Sequence, residues 1–200
     1  SDNPDYAVSY AKSFGGNGIK GIVAVGPNRP PYPTMFYDKE NEKPIKASLD
    51  NQLEVTEELV SNIKSVHNNN VSFCVSAPKF FPEEMDDKNL IKSVSYMYDK
   101  VMDLRSQNNL IFTQDGHKEG SISVSDKFNA LGEWALLSHS ITLTDDDLKS
   151  IKKHKPTIVH NPSSNYSIMG RCPVPELLDD GIRVVIGSDG AAPDRGFDMF

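Results

Sequence analysis

Apolar residues of this chain gather in six short runs that are rich in β-branched side chains. The runs are Ile19–Val25, Val71–Ser76, Leu110–Thr113, Trp134–Ser138, Thr157–His160 and Ile182–Ile186. Their apolar positions are continuous rather than alternating with polar ones, which is typical of strands buried on both faces. The pattern therefore predicts six strands of a parallel sheet.

Helical patterns lie between these runs. They cover Ala7–Phe14, Leu49–Val66, Asn89–Ser106, a helix from an N-cap at Thr144 to about His154, and Pro175–Asp179 with Gly181 as its stop. In the second of these segments apolar residues recur at helical spacing, with acidic residues early and basic residues late, as the helix macrodipole favours. Strands that alternate with helices predict an α/β protein with right-handed crossovers.

Two α/β architectures fit this alternation: an open doubly wound sheet and a closed (β/α)8 barrel. Gly15–Gly18 comes before a strand rather than after one, so it predicts a helix end and turn instead of a dinucleotide-binding loop. Four residues follow strand runs directly or closely: His117, His139, His160 and Asp189. In a barrel these strand ends would converge on one mouth. A barrel needs eight strands, and the chain supplies six.

Composition and charge narrow the class of partner. The chain has 200 residues and a formal net charge of −7, which argues against nucleic acid as a partner. No run approaches the ~18 apolar residues of a membrane span, and no signal peptide opens the sequence. Cys74 and Cys172 lack metal-binding spacing and are expected to be reduced, buried thiols. We therefore expect a cytoplasmic protein without a membrane partner.

The polar residues at strand ends are weak signals when they are taken singly. Ser-Asp-Gly is good turn chemistry, so Asp189 alone is compatible with a turn residue or with a ligand. A histidine that ends a strand, such as His139 or His160, is as readily structural. In order along the chain, however, they form a combined motif: Ser138-His139, Leu143–Leu148, Ile158–Asn165, Pro173–Gly181, Ile186–Ala192 and Phe197–Phe200.

This combined motif resembles the amidohydrolase superfamily, in particular its cytosine-deaminase-like and chlorohydrolase-like branch. That branch includes atrazine and other triazine hydrolases and the deaminases of guanine and thioadenosine-type substrates. The match is dense from Leu136 to Phe200 and weaker, though compatible in strand order, from Ser1 to Leu110. The resemblance implies a (β/α)8 barrel that holds one divalent metal ion at its carboxyl mouth, with zinc as the first choice and iron as the alternative.

The resemblance also assigns roles to individual strands. In the family a His-x-His pair ends the first strand, single histidines end the fifth and sixth, and an aspartate ends the eighth. Asp189 matches the eighth-strand metal ligand, and His139 matches the sixth-strand histidine that orients water and substrate. The six strands would then be strands three to eight. Residues 1–200 would form an incomplete barrel domain, with the first two βα units, the His-x-His pair and a small β-sandwich outside the chain.

The fifth strand departs from the family pattern His-Leu-x-Glu, which supplies a metal ligand and a proton-shuttling glutamate. A direct alignment puts Gln114 at the ligand and His117 at the glutamate. A shifted alignment makes His117 the metal ligand and leaves Glu119 as the acid. Glutamine is a poor zinc ligand, which favours the shift. In a third interpretation His117 only caps a loop and neither alignment holds.

The expected function is hydrolytic deamination of a nitrogen heterocycle, such as a purine, pyrimidine, pterin or triazine, by a metal-activated water. Asp189 would accept the proton of the water, His139 would stabilise the tetrahedral adduct, and Glu119 would protonate the leaving amine. By analogy with the family, three further residues would bind the substrate: His160, Asn161 and Ser164.

Two kinds of alternative stay open. The same site could serve a chlorohydrolase or an amide hydrolase, which differ only in the leaving group. In another class of function, the barrel would bind a heterocycle without catalysis. The expected partner in each case is a small heterocyclic molecule, and the family resemblance admits a homodimer.

Overall fold

The computed structural model describes residues 4–38, 41–61, 70–167 and 170–190. Strands and helices alternate over most of this length, and a 3-10 helix at Pro82–Asp86 precedes the longest helix. The elements are α1 (Pro4–Gly16), β1 (Gly21–Val25), β2 (Thr34–Asp38), β3 (Lys43–Ala47), α2 (Leu49–Ser61), β4 (Val71–Ser76), α3 (Lys88–Gln107), β5 (Phe112–Gln114), α4 (Ser121–Lys127), β6 (Ala135–Ser138), α5 (Asp145–His154), β7 (Thr157–His160), α6 (Pro162–Ser167), α7 (Val174–Asp179) and β8 (Val184–Ile186).

Six strands form one sheet in the order β1-β4-β5-β6-β7-β8. The pairs β1–β4, β6–β7 and β7–β8 are parallel, with Val23 opposite Phe73 and Val159 opposite Val185. All six predicted strands are therefore confirmed, with small shifts at their ends. Apart from the β2–β3 pair, neighbours in the sheet follow one another along the chain, as in a (β/α)8 barrel. The predicted α/β class is confirmed.

The chain divides into two compact units, of which the first comprises Ser1–Pro78 and Asn89–Phe112. In this unit α1 packs against β1 and α2. Buried side chains of β1, β4 and α3 form its core: Val25, Phe73, Val75, Met97, Tyr98 and Val101. The continuous apolar run of β4 is thus buried as predicted, whereas Ile22 of β1 is 50% exposed.

A two-stranded antiparallel hairpin, β2–β3, also belongs to the first unit and was not predicted. The buried Gln52 of α2 joins both of its strands. The Gln52 amide donates to Thr34 Oγ1 at 3.2 Å and to the Ala47 carbonyl at 3.3 Å. Its Oε1 accepts the Asn28 N–H at 2.8 Å. One buried amide therefore holds the hairpin and the chain that leads to it against α2.

The second unit comprises Lys79–Lys88 and Thr113–Phe200. Strands β6, β7 and β8 lie side by side in it, and α4 packs against α5. Its core contains buried side chains from five elements: Ile122, Leu137, Ile151, Ile158 and Leu177. Helices α4 and α6 have seven and six residues, and neither was predicted.

Two carboxylates join α4 to α5. Thr144 caps α5 and forms a capping box with Asp147, which confirms the predicted start of this helix. The Asp147 carboxylate is fully buried and also accepts the Gly120 N–H at 2.7 Å and the Ser123 N–H at 2.9 Å, at the start of α4. Asp126 of α4 accepts hydrogen bonds from three side chains of α5: Ser150, Lys153 and His154.

Three further predictions concern the end of α2, the two cysteines and the absence of a membrane span. Helix α2 is described as far as Ser61, so its predicted extension to Val66 lies outside the described residues. Cys74 and Cys172 are buried free thiols, as expected, and burial raises the pKa of each to about 11. Within the described ranges, no helix has the length and apolar character needed to cross a membrane.

Candidate active site

Chemistry-bearing side chains of the second unit gather at the carboxyl ends of its strands. Gln114 is the last residue of β5 and is followed by Asp115. His139 directly follows β6, His160 ends β7, and Asp189 lies shortly after β8. This is the edge of a parallel α/β sheet where barrel active sites form. The strand-end positions inferred from the sequence are thus present in the structure.

His139 is the centre of this group. Its Nε2 lies 3.3 Å from Asp115 Oδ1 and 3.6 Å from Asp189 Oδ2, and only 7% of its side chain is exposed. The hydrogen bond with Asp115 raises the pKa of His139, burial opposes this rise, and the Asp189 charge adds to it. The two carboxylates therefore favour an imidazolium at His139.

Asn165 fixes the other side of the His139 ring. Its Oδ1 accepts a hydrogen bond from His139 Nδ1 at 2.9 Å, and its Nδ2 donates to His160 Nδ1 at 3.0 Å. Nδ2 also lies 3.5 Å from the His139 carbonyl oxygen, which determines the orientation of the amide. One buried amide therefore keeps Nδ1 protonated in His139 and unprotonated in His160.

Asp189 combines a left-handed backbone with membership of this cluster. Its backbone has a left-handed φ of 58°, and its Oδ1 accepts the Gly190 N–H at 2.6 Å. A hydrogen bond with Ser164 lowers the pKa of Asp189, burial opposes this, and Gly190 and His139 lower it further. The carboxylate is thus held ionised in contact with His139.

His117 is fully buried and lies beyond the end of β5. Its Nδ1 is 3.0 Å from Ser121 Oγ, whereas its Nε2 has no hydrogen-bond partner in the described part of the chain. Burial, with a smaller contribution from the charge of Lys79, lowers the pKa of His117 to about 3. The ring is therefore neutral at pH 7, as metal ligation requires.

The other candidates near β5 have different surroundings. Gln114 is buried, and its Oε1 accepts the Ser125 hydroxyl at 2.8 Å. The side chain of Glu119, predicted to shuttle protons, is 60% exposed and pairs with Lys118 at 3.5 Å. The structure does not bring Glu119 to His139, and its role stays a prediction. Of the two acids in this segment, Asp115 is the one that contacts His139.

The three predicted substrate-binding residues also differ in their contacts. Asn161 is buried and donates to Ser138 Oγ at 2.9 Å. A Cβ at Gly187 would lie 2.3 Å from Asn161 Oδ1, so Asn161 fills the space between the ends of β6 and β8. Ser164 is buried and bonds to the Asp189 carboxylate, and His160 bonds to Asn165. Ser164 and His160 therefore belong to the cluster around His139, and Asn161 supports it.

Sequence reasoning missed two members of this cluster, Asp115 and Asn165. Asp115 stands between Gln114 and His117, the two residues that the alignments place at the ligand position, and neither alignment assigns it a role. Asn165 ends the His160–Asn165 motif. Pro162 could have indicated that a helix begins there, because proline is favoured at the first position of a helix. A helix starting at Pro162 brings Asn165 back beside His160.

Donors for a metal ion are present in part. Nitrogen and carboxylate oxygen are ligands that zinc takes, and the unpartnered Nε2 of His117 together with the Asp189 carboxylate fits such a donor set. Within the described ranges, no three His, Cys, Asp or Glu side chains lie close enough together to hold an ion. The donor chemistry of the two residues is thus compatible with zinc, and their role as ligands stays a prediction.

A parallel sheet of successive strands, with histidine and aspartate at the carboxyl ends, defines the class as the (β/α)8 barrels with a polar strand-end site. Residues 38–200 match the sequence profile of the amidohydrolase family. The chain belongs to this family.

One curated relative and two solved structures with the same fold are similar to this chain. A 5′-deoxyadenosine deaminase of Methanosphaera stadtmanae is 27% identical over 208 residues, which cover 98% of this chain and 44% of the relative. The structure of guanine deaminase from C. acetobutylicum with bound guanine has a TM-score of 0.71 and 23% identity, covering 98% of this chain and 46% of that one. A zinc-complexed atrazine chlorohydrolase from Arthrobacter aurescens TC1 has a TM-score of 0.64 and 15% identity, covering 93% and 41%. The chain thus spans less than half the length of each of these proteins.

Proposed function

We propose that the protein containing this chain hydrolytically deaminates a nitrogen heterocycle, with a purine as the first candidate, at a metal-dependent site. The observation that carries this proposal is the contact of His139 Nε2 with the carboxylates of Asp115 and Asp189, at 3.3 and 3.6 Å. The names of the deaminase relatives, which act on 5′-deoxyadenosine and guanine, support a purine ring.

His117 and Asp189 would hold the metal ion through Nε2 and a carboxylate oxygen. The remaining ligands would come from outside the described residues, where the family resemblance expects a His-x-His pair. Zinc is supported by the zinc-complexed relative, and iron is the alternative. When bound, zinc supplies a water whose pKa is lowered to about 7.

The residues of this chain would then divide the work of the reaction. Asp189 would accept a proton from the attacking water, whose oxygen adds to the ring carbon that bears the amino group. His139 would donate from Nε2 to the atom that gains negative charge in the adduct. The C–N bond would then break, and ammonia would leave with the transferred proton. Asp115 and Asn165 would hold the His139 ring in place from both of its nitrogens.

A halide leaving group is the second candidate, supported by the structural likeness to a chlorohydrolase. The non-catalytic alternative predicts that the intact protein binds a heterocycle without turnover. The homodimer, the cytoplasmic location and the exclusion of nucleic acid stay predictions.

The test uses the intact protein, purified without chelator. Zinc and iron content would be measured by mass spectrometry, ammonia release with 5′-deoxyadenosine and guanine, and chloride release with atrazine. Asp189→Asn should lower kcat/KM about a hundredfold or more, because general-base catalysis contributes at least that factor. Asp179→Asn, a change at an exposed aspartate of α7, is the control and should stay close to wild type. Absence of near-stoichiometric metal, or unchanged turnover in Asp189→Asn, would contradict the proposal.

A further inference from the structure

Helix α4 presents two buried serines, one turn apart, to the segment that follows β5. Ser121 Oγ lies 3.0 Å from His117 Nδ1, and Ser125 Oγ donates to Gln114 Oε1 at 2.8 Å. Both serines are fully buried. The two residues that compete for the fifth-strand position in the alignments, Gln114 and His117, are therefore held by different hydroxyl groups of one helix.

These two contacts leave different atoms available. The Gln114 oxygen, which is the atom a metal would need, already accepts the Ser125 hydroxyl. His117 Nε2, in contrast, is buried and has no hydrogen-bond partner among the described residues. A buried polar atom without a partner is costly and calls for an explanation, such as a missing ion. His117 is thus the residue that offers an atom to an external group.

Ser121 is well placed to control how that atom is offered. Its Oγ also accepts the Lys118 N–H at 3.0 Å, so the hydroxyl is fixed between the backbone and the His117 ring. When Nδ1–H donates to Ser121 Oγ, the ring orientation is fixed and Nε2 is left unprotonated for a ligand. Metal-binding histidines have such a partner on their second nitrogen almost without exception.

The start of α4, where Ser121 lies, is itself anchored. The buried Asp147 carboxylate accepts the backbone N–H groups of Gly120 and Ser123, on either side of Ser121. Ser121 is therefore held by a carboxylate of the following helix, and the position of its hydroxyl does not depend on α4 alone.

We propose that Ser121 is a positioning residue that orients the His117 ring so that Nε2 faces a bound divalent cation. This inference rests on the proposed metal-dependent function.

The test compares Ser121→Ala with Ser125→Ala in the intact protein. The two variants remove the same group from the same helix at the same burial, so they should lower the urea midpoint of unfolding to a similar extent. Zinc affinity is measured by returning Zn²⁺ alone to the chelator-treated protein in competition with a chromophoric chelator. Ser121→Ala should weaken zinc binding about 10- to 100-fold, the usual effect of losing a partner of a metal-binding histidine. Ser125→Ala should leave zinc binding close to wild type.

A second readout does not involve zinc. The ¹⁵N shifts of the His117 ring in the metal-free protein should report the tautomer protonated at Nδ1 in wild type and in Ser125→Ala, and a mixture of tautomers in Ser121→Ala. Ser121→Cys, whose thiol is only a weak hydrogen-bond partner, should give the same mixture of tautomers in the metal-free protein and replaces Ser121→Ala in this readout if that variant does not fold.

The outcomes separate this inference from the proposed function. Wild-type zinc affinity or wild-type ring shifts in Ser121→Ala would overturn the positioning role, as would an equal loss of zinc affinity in Ser125→Ala. If wild type itself binds no zinc, the proposed function fails, and the His117 ring shifts still decide whether Ser121 positions the ring.

Discussion

Asp147 allows a quantitative test of how the second unit supports its site. Its buried carboxylate accepts the backbone N–H groups of Gly120, Ser123 and Thr144, and the Thr144 hydroxyl. Asp147→Ala would leave the Gly120 and Ser123 N–H groups without their acceptor and would remove half of the α5 capping box. Each hydrogen bond to a charged acceptor contributes about 1.5 kcal/mol, and the cap contributes about 1 kcal/mol. We therefore expect a loss of about 4 kcal/mol in the free energy of unfolding, a large part of the ~5–15 kcal/mol typical of a domain.

Urea unfolding of the intact protein, followed by circular dichroism, measures this loss. Asp146→Ala is the matched control, since it removes the neighbouring first-turn carboxylate of α5, which is exposed and pairs with Lys149 at 2.8 Å. Both variants lose one charge from the same helix end, so their difference isolates the buried hydrogen bonds. Loss of stability in Asp147→Ala within about 1 kcal/mol of the control, less than one such hydrogen bond, would refute this account of the α4–α5 contact.

Two further predictions concern the strand-end edge and the α4–α5 pair. Gly187→Ala should lower the free energy of unfolding by about 2 kcal/mol through overpacking, because the new Cβ would lie 2.3 Å from Asn161 Oδ1. Gly190→Ala is the control, since a Cβ there would have no atom within 4 Å. Equal unfolding free energies of the two variants would contradict this prediction. Burial raises the pKa of Asp126, but hydrogen bonds from α5 side chains outweigh this and lower it below the ordinary value. The folded-state pKa is depressed, so this stabilisation is present above the unfolded pKa of about 4 and is lost as pH falls below it. Urea midpoints measured against pH should therefore fall less steeply on the acid side in Asp126→Asn than in wild type or Asp145→Asn.

Strand positions could be predicted because buried parallel strands leave continuous apolar runs in the sequence. Val71–Ser76 and Thr157–His160 match the observed strands at both ends. The strands predicted to start at Leu110 and Ile182 begin later in the structure, at Phe112 and Val184, for the same reason. Each residue is apolar, but its N–H bonds back to the preceding helix, to Arg105 and Leu177 respectively. The apolar pattern of the sequence shows which side chains are apolar, but it cannot show which hydrogen-bond partner the backbone N–H takes.

The elements that were not predicted, α4, α6 and the β2–β3 hairpin, lack a long apolar pattern in the sequence. The inward face of α4 carries serines as well as Ile122 and Val124, so its seven residues show no apolar stripe. Helix α6 is six residues long and mostly polar. The hairpin strands are only five residues each and are held by the polar contacts of Gln52 rather than by a buried apolar face. These elements are difficult to predict because they are short and mostly polar or held by polar contacts.

Side-chain convergence at the candidate site is a harder problem than strand placement, because it depends on turns that residue type does not specify. Between β5 and α4 the backbone enters the left-handed region at Gly116 (φ 72°) and Glu119 (φ 48°). In the resulting turn Asp115 contacts His139, His117 is buried against α4, and Glu119 is exposed. A one-dimensional alignment assigns His117 and Glu119 by their spacing, whereas the turn brings Asp115 to His139.

The features of Asp189 that suggest a turn residue do not conflict with its predicted role as a ligand. The left-handed backbone and the bond to Gly190 are turn chemistry, and both leave the second carboxylate oxygen 3.6 Å from His139. Aspartate tolerates the left-handed region better than most side chains and carries the charge that a metal ion or an imidazolium needs. One residue type therefore satisfies the backbone and the site together. The local turn signal in the sequence is thus evidence for the geometry that the site requires, and not evidence against a ligand.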